Sequence, residues 1–151
     1  METRLLQKDD PIPYHLLLLA DEEIQAIERY IHQSAIYVIE DAGQIIGVYV
    51  LYPIDKHTAE IKAIAVNEHF QNLGIGKFML RDAESKARDN SFCKLVIGTP
   101  AIAQKQLSIY QKAGFELYDI KKDFFITHYT KPIFEDGVRL TDMAMLKKML
   151  I

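Results

Sequence analysis

The sequence is poor in the residues that build disulfides, metal sites and flexible linkers. Its 151 residues include one cysteine, seven glycines and five prolines, and no tryptophan. A single cysteine, Cys93, excludes an intrachain disulfide and a cysteine-rich metal site, and its apolar surroundings predict a small structural residue. The longest apolar run near the N-terminus, Leu16 to Ala20, is far shorter than the roughly 20 residues that span a bilayer. Without a signal-peptide pattern, a cytoplasmic location is expected.

The sequence also lacks a large excess of either basic or acidic residues. Lysine and arginine number 18 and aspartate and glutamate 21, which gives a net charge of −3 and a pI of about 5.9. A basic stripe is absent, so no nucleic-acid partner is expected, and no membrane partner either. Hydrophobic residues make up 49%, typical of a globular chain, and no repeat or linker divides it. We therefore expect a single domain over residues 1–151.

The N-terminal part alternates between apolar helices and strands. Tyr14 to Ala20 predicts a helix, and Asp21 predicts the N-cap of a second helix. That helix would carry a buried stripe of isoleucines at helical spacing. The stripe consists of Ile24, Ile27 and Ile31. Strands follow from Ala35, from Gln44 to Tyr52 and from Thr58 to Val66, the first two joined as a hairpin.

The second half has helix and strand in turn. The pattern predicts a helix over 74–88, a strand over 91–97, a helix over 101–113 that Gly114 stops, and a strand over 115–120. The pattern of the tail, residues 138–151, fits a strand and a helix equally. This order predicts an α/β fold with a mixed sheet and helices on both faces.

The most informative stretch joins a strand to a helix through glycines. A strand ends at Val66, and Gln71-x-x-Gly74-x-Gly76 stands where the next helix begins. The first turn of a helix has unpaired N–H groups, and glycines let a diphosphate approach them. A dinucleotide fingerprint would need a third glycine where Met79 stands, and no Gly-Lys-Ser or Gly-Lys-Thr of a Walker motif occurs. The spacing by itself fits a phosphate-binding loop and a glycine-containing turn without a ligand equally well.

Two motifs in this order resemble the GNAT family of N-acetyltransferases. They are the glycine loop at Gln71–Gly76 and the segment Ile109–Phe115, and the resemblance covers about residues 34–120. It implies a central, mostly antiparallel sheet of six to seven strands with helices on both faces. It also implies acetyl-CoA as acyl donor, no metal and no protein nucleophile. The tail from His128 is similar to a small bacterial subgroup of acetyltransferases, and this similarity implies that Leu140 to Leu146 is a closing strand.

The resemblance also assigns site residues. Glu60 would be the general base and Tyr110 the general acid. The residues expected at acetyl-CoA are Ala65, Val66, Gln71, Asn72, Leu73, Gly74, Ile75, Gly76, Lys77, Thr99 and Gln104. Thr99 and Gln104 are alternatives for an asparagine that many members have and this chain lacks.

An alkyl amine is protonated near neutral pH, so the chemistry requires either a base or a water chain to take its proton. Strand alternation puts Glu60 on the same face as Val66. His57, Glu68 and His69 are weaker candidates for the base, and His128 and Tyr129 are candidates for the acceptor pocket.

The resulting hypothesis is transfer of an acetyl group to a primary amine of a small molecule or peptide. The alternative is a non-catalytic acyl-CoA-binding module used for sensing or assembly. The sequence does not identify the acceptor, and a homodimer is compatible with the resemblance.

Overall fold

The computed structural model describes residues 1–151, and its main feature is one seven-stranded sheet. Its strands lie in the order β1-β2-β3-β4-β5-β9-β6, with a separate β7-β8 hairpin. The strand bounds are β1 Arg4–Leu5, β2 Ala35–Asp41, β3 Gln44–Pro53, β4 Thr58–Val66, β5 Lys94–Pro100, β6 Glu116–Lys121, β7 Phe134–Glu135, β8 Val138–Arg139 and β9 Met143–Met149. Only β4 and β5 pair in parallel. The predicted mixed, mostly antiparallel sheet is confirmed.

Helices cover both faces of this sheet, as predicted. The helix bounds are α1 Tyr14–Ala20, α2 Ile24–Glu28, α3 Ile75–Asp89, α4 Gln104–Lys112 and α5 Phe124–Thr127, with 3-10 turns at Ile31–Gln33 and Glu68–Phe70. One core cluster joins α3 to the sheet through Met79 and Ala83. The other joins α1 and α2 to the opposite face through Leu17 and Ile27. None of the helices combines the length and apolar character needed to cross a bilayer.

The β2–β3 hairpin shows how the sequence sets the local geometry. Ala42 and Gly43 both have positive φ, 51° and 80°, which matches a tight two-residue turn. Ile46 has no partner on β2, so it forms a bulge beside Gly47. A Cβ on Gly47 would lie 3.1 Å from the sulfur of Met79. The predicted bulge or close approach at this glycine is confirmed, and both features occur.

A second bulge, in β4, changes which face each side chain meets. Val50 pairs with Ala63 but Leu51 pairs with Ile61, so Lys62 is an extra residue. Before the bulge Ile61 packs in the cluster with α3, whereas after it Ala63 packs in the cluster with α1. Strict alternation therefore fails across Lys62. The prediction that Glu60 and Val66 share a face is wrong, because the bulge reverses the phase between them.

Beyond the bulge, β4 and β5 separate. Their parallel pairing runs from Thr58 with Lys94 to Ile61 with Ile97 and goes no further, although both strands continue. The remaining part of β5 pairs with β9 on its other side. A wedge-shaped gap, which we call the strand split, therefore opens between the end of β4 and the end of β5.

Several predicted boundaries need correction. Asp21 is not an N-cap: α2 begins at Ile24 after Glu23, and Ile24 is exposed rather than part of a buried stripe. The strand predicted from Ser91 begins at Lys94, because residues 90–93 form the turn that ends α3.

In the C-terminal half, α4 begins at Gln104 rather than at Ala101. The reason is that 101–103 form a turn after Pro100. The closing strand runs over Met143–Met149, three residues later than predicted. Short elements without a sequence period, namely β1, α5 and the β7–β8 hairpin, were not predicted.

Candidate active site

The loop between β4 and α3 presents main-chain donors that the protein leaves free. The amide N–H groups of Gln71 through Lys77 donate to no protein acceptor, and the first bond of α3 runs from the Phe78 amide to the Gly74 carbonyl, at 3.0 Å. Asn72 and Gly74 have positive φ, 64° and 86°. Consecutive free amides at the positive end of a fifteen-residue helix form a binding site for an anion.

The two glycines of the loop serve different purposes. Gly74 has a backbone conformation that favours glycine, with φ at 86°. Gly76 does not, and a Cβ placed on it would meet no protein atom within 4 Å. The protein's own packing therefore does not require glycine at 76, and the open space beside the amides is available to a ligand. Gln71 ties the loop to β4, because its Nε2 donates to the Val66 carbonyl at 3.0 Å.

Main-chain groups of β4 also face the strand split. The Asn67 amide donates to the Ile46 carbonyl of β3 at 2.8 Å. Because polar groups alternate in direction along a strand, those of Ala65 point to β3 as well, whereas those of Ile64 and Val66 point to the split. The sequence predicts Ala65 at acetyl-CoA, whereas the register with β3 turns the polar groups of Ile64, rather than those of Ala65, to the split.

A cavity of about 500 Å³ passes through the sheet at this split. It is lined both by Tyr110, which packs against the cluster with α3, and by Tyr30, which belongs to the cluster with α1 and α2. Thr99 of β5 and Ile64 of β4 line it between them. Two molecules could therefore meet in the cavity from opposite faces of the sheet.

Tyr110 stands on the α3 face with a free hydroxyl. Its ring lies 6.3 Å from that of Phe115, and its hydroxyl makes no hydrogen bond to the protein. Burial raises the pKa of Tyr110 to about 12. The phenol therefore carries its proton at neutral pH and can act as a proton donor as a leaving group departs.

Glu60 stands on the opposite face. It is 9% exposed. Its Oε1 lies 3.3 Å from Nζ of Lys62, and that ion pair is the one polar contact of its carboxylate. The rings of Tyr30 and Tyr52 line the same part of the cavity. A carboxyl group with one polar partner is a candidate to accept a proton from an amine that enters here.

The α1–α2 side of the cavity holds a buried carboxylate between two phenols. Asp21 accepts from the Tyr30 hydroxyl at 3.2 Å and from the Tyr129 hydroxyl at 2.5 Å. Burial raises the pKa of Asp21. The pKa values of Tyr30 and Tyr129 are raised as well, mainly by burial and to a smaller extent by the neighbouring Asp21. The residue predicted as a helix cap is thus a hydrogen-bond acceptor inside the cavity, a role that needs a partner 108 positions away.

Further bonds hold the segment after α5 to α2. Arg29 donates to the His128 carbonyl at 2.8 Å, and the hydroxyl of Thr130 donates to Glu23 at 2.7 Å. With the bond from Tyr129 to Asp21, these contacts close one wall of the cavity. We call residues 128–130 and their partners on α1–α2 the polar clasp.

The sequence of this chain matches a known protein family. The model of the acetyltransferase (GNAT) family matches residues 3–115, three quarters of the chain. The protein belongs to the GNAT family.

Similar proteins agree with this family. The uncharacterized N-acetyltransferase YvbK of Bacillus subtilis is 40% identical over 133 residues, which are 88% of this chain and 86% of that protein. A GNAT acetyltransferase from Elizabethkingia anophelis, solved with acetyl-CoA bound, is 46% identical with a TM-score of 0.95, over 99% of this chain and 97% of that one. The structure described as IAA acetyltransferase from Bacillus cereus is 40% identical with a TM-score of 0.92, over 99% of both chains.

These findings establish the reaction class. The chain is an acetyl-CoA-dependent acyltransferase with the GNAT fold, and acetyl-CoA is its acyl donor. The free amides of the loop after β4 fit such a donor, because its diphosphate needs several donors within one short stretch of chain.

Some of the remaining site residues predicted from the sequence line the cavity, and others lie outside it. Thr99 lines the cavity and is 3% exposed, whereas Gln104 is exposed on the first turn of α4 and does not line it. His57, Glu68 and His69 lie outside the cavity on exposed turns, and His128 and Tyr129 line it. Among the candidates for the base, the structure brings only Glu60 to the cavity.

Proposed function

We propose that this GNAT protein transfers the acetyl group of acetyl-CoA directly to a primary amine of a small molecule or peptide. One observation carries the proposal: a single cavity joins a buried carboxylate, Glu60, to a protonated phenol, Tyr110, through the strand split. The carboxylate serves the acceptor and the phenol serves the leaving group. Each reactant then enters from its own face of the sheet.

The donor is held mainly by the main chain. The loop amides of Gln71, Asn72, Leu73, Gly74, Ile75, Gly76 and Lys77 bind the diphosphate. Val66, with Ile64, pairs with the pantetheine arm in the strand split, and Ala65 holds this edge in register with β3. Thr99 lies beside the arm. The exposed position of Gln104 gives no support to its expected role.

Proton transfers fit the two side chains. An alkyl ammonium has a pKa near 10, so it must lose a proton before its nitrogen can attack the thioester. Glu60 takes that proton, and an amide of the strand split stabilises the oxyanion. As the carbon–sulfur bond breaks, Tyr110 protonates the CoA thiolate. Water returns both side chains to their starting states.

A panel of primary amines tests the proposal. Release of the CoA thiol is measured with acetyl-CoA and amino acids, polyamines, aminoglycosides or N-terminal peptides. For a good acceptor, Glu60→Gln should lower kcat about 100-fold while acetyl-CoA still binds. Glu68→Gln is the matched control, because Glu68 lies outside the cavity, and it should keep wild-type activity.

Two results would contradict the proposal. Equal activity of Glu60→Gln and wild type would show that Glu60 is not the general base. Tight acetyl-CoA binding with no thiol release across the panel would favour the acyl-CoA-binding module instead. The single domain over 1–151, the homodimer and the cytoplasmic location stay predictions from the sequence.

A further inference from the structure

Lys62 holds a primary amine at the place where the proposed acceptor must lose its proton. Its Nζ lies 3.3 Å from Oε1 of Glu60. The same Nζ lies 5.7 Å from the ring centre of Tyr30 and 5.4 Å from that of Tyr52. A carboxylate and two aromatic faces are the groups that bind an ammonium ion.

Lys62 lies beside Glu60 because residues two positions apart on a strand share a face. Both line the cavity, and the phase of β4 reverses only after Lys62, the extra residue of the bulge. It also stands directly after Ile61, where the pairing with β5 ends and the strand split begins. The amine therefore lies in the cavity that reaches Tyr110 through the split.

We propose that Lys62 is itself an acetyl acceptor, modified on Nζ by the acetyl-CoA bound to the same chain. This inference rests on the proposed function, because it uses the same base and the same donor. It adds a modification site inside the cavity and an acceptor whose position is known.

The chemistry balances without a further reactant. Glu60 takes one proton from the Lys62 ammonium and passes it to water. The free amine attacks the thioester, a carbon–nitrogen bond forms and the carbon–sulfur bond breaks. The nitrogen loses its second proton, and the CoA thiolate gains one from Tyr110, which water reprotonates. The products are an amide on Lys62, free CoA and one proton.

The other lysines lack this arrangement. Lys121 also lines the cavity, but its Nζ lies 5.8 Å from the ring of Phe124 and makes no ion pair. Lys86 and Lys148 pair with carboxylates outside the cavity. The geometry thus predicts modification at one lysine, with Lys121 as an internal control in the same cavity.

Wild-type protein incubated with acetyl-CoA provides the test. Peptide mapping by mass spectrometry should find one acetyl group on Lys62 and none on Lys121. The first-order rate constant should not change with protein concentration, because the reaction stays within one chain. Glu60→Gln should slow the modification about 100-fold, and Lys62→Arg should abolish it.

Chemical acetylation without catalysis is excluded by a variant that cannot bind the donor. In Gly74→Glu the modification of Lys62 should fall to the level of Lys121. Equal labelling of the two lysines in wild type, or an observed first-order rate constant that rises in proportion to protein concentration, would overturn the inference. So would an unmodified Lys62 in an enzyme that turns over an external amine, and this last result would leave the proposed function intact. No labelling and no turnover would overturn both.

Discussion

The two faces of the cavity are built in different ways. The donor side, which comprises the loop 71–77, the strand split and Tyr110, lies within residues 60–113 and binds mostly through main-chain amides. The acceptor side comprises Glu60, Lys62 and the polar clasp. It consists of side chains whose partners stand up to 108 positions apart. A shared donor can be held by local backbone geometry, whereas an acceptor is recognised by side chains that tertiary structure brings together.

This difference has an energetic consequence. The donor loop depends on backbone conformation at a few residues, so a single added charge should disrupt it. The clasp distributes its contacts over several hydrogen bonds between exposed and buried groups, each with a modest net contribution. Substitutions on the donor side should therefore have larger effects than substitutions in the clasp. They should change acetyl-CoA affinity or kcat, whereas substitutions in the clasp should change stability and KM for the acceptor.

Gly74→Glu should give the largest effect. The new carboxylate would face the diphosphate, and like charges in contact cost several kcal/mol. We expect acetyl-CoA to bind about 100-fold more weakly, measured by calorimetry.

Gly43→Glu is the matched control for this change. Gly43 has a similar φ of 80° and equally open surroundings, but it lies in the β2–β3 turn. It should bind acetyl-CoA as wild type does. Equal loss in both variants would mean that strain, rather than charge at the loop, weakens binding.

Tyr110→Phe should lower kcat about 10- to 100-fold without changing acetyl-CoA affinity. Because burial raises the pKa of Tyr110 to about 12, the phenol keeps its proton through neutral and moderately alkaline pH. The ratio of wild-type to variant kcat should therefore be constant between about pH 6 and pH 10. A ratio that falls steeply within that range would indicate that another group is the acid.

Tyr129→Phe should affect the acceptor side of the cavity. It removes the hydrogen bond to Asp21. The loss should reduce the free energy of unfolding by about 1.5–3 kcal/mol and raise KM for the acceptor severalfold. Tyr14→Phe is a fair control, because Tyr14 also donates to a carboxylate, that of Glu28, outside the cavity. An acetyl-CoA affinity lowered as much as that for the acceptor would contradict the division into two sides.

Asp21→Asn should give the smallest effect, and its sign depends on pH. Burial raises the pKa of Asp21, so the folded protein holds this proton more tightly than the unfolded chain. Wild type therefore loses stability as pH rises from about 4 through the raised pKa. The asparagine variant has no such titration. Urea unfolding at several pH values should show the stability difference shift in favour of the variant as pH increases.

The same division explains what the sequence could predict. The loop at Gln71–Gly76 and the motif around Tyr110 can be predicted from the sequence because each is a short run of adjacent residues. The prediction that Glu60 lies on the same face as Val66 is wrong because one extra residue, Lys62, reverses the alternation of the strand. No local sequence pattern marks a bulge there. Asp21 has the sequence context of a helix cap, and the tyrosines that surround it are close to it only in the fold.

An amide NMR titration with CoA would locate the donor site without any knowledge of the acceptor. We expect the largest shifts at the amides of residues 71–77 and at Ile64 and Val66. Residues of the polar clasp should remain nearly unchanged. Shifts concentrated at Asp21 and residues 128–130, with the loop unaffected, would place the donor on the wrong side of the sheet and contradict the account.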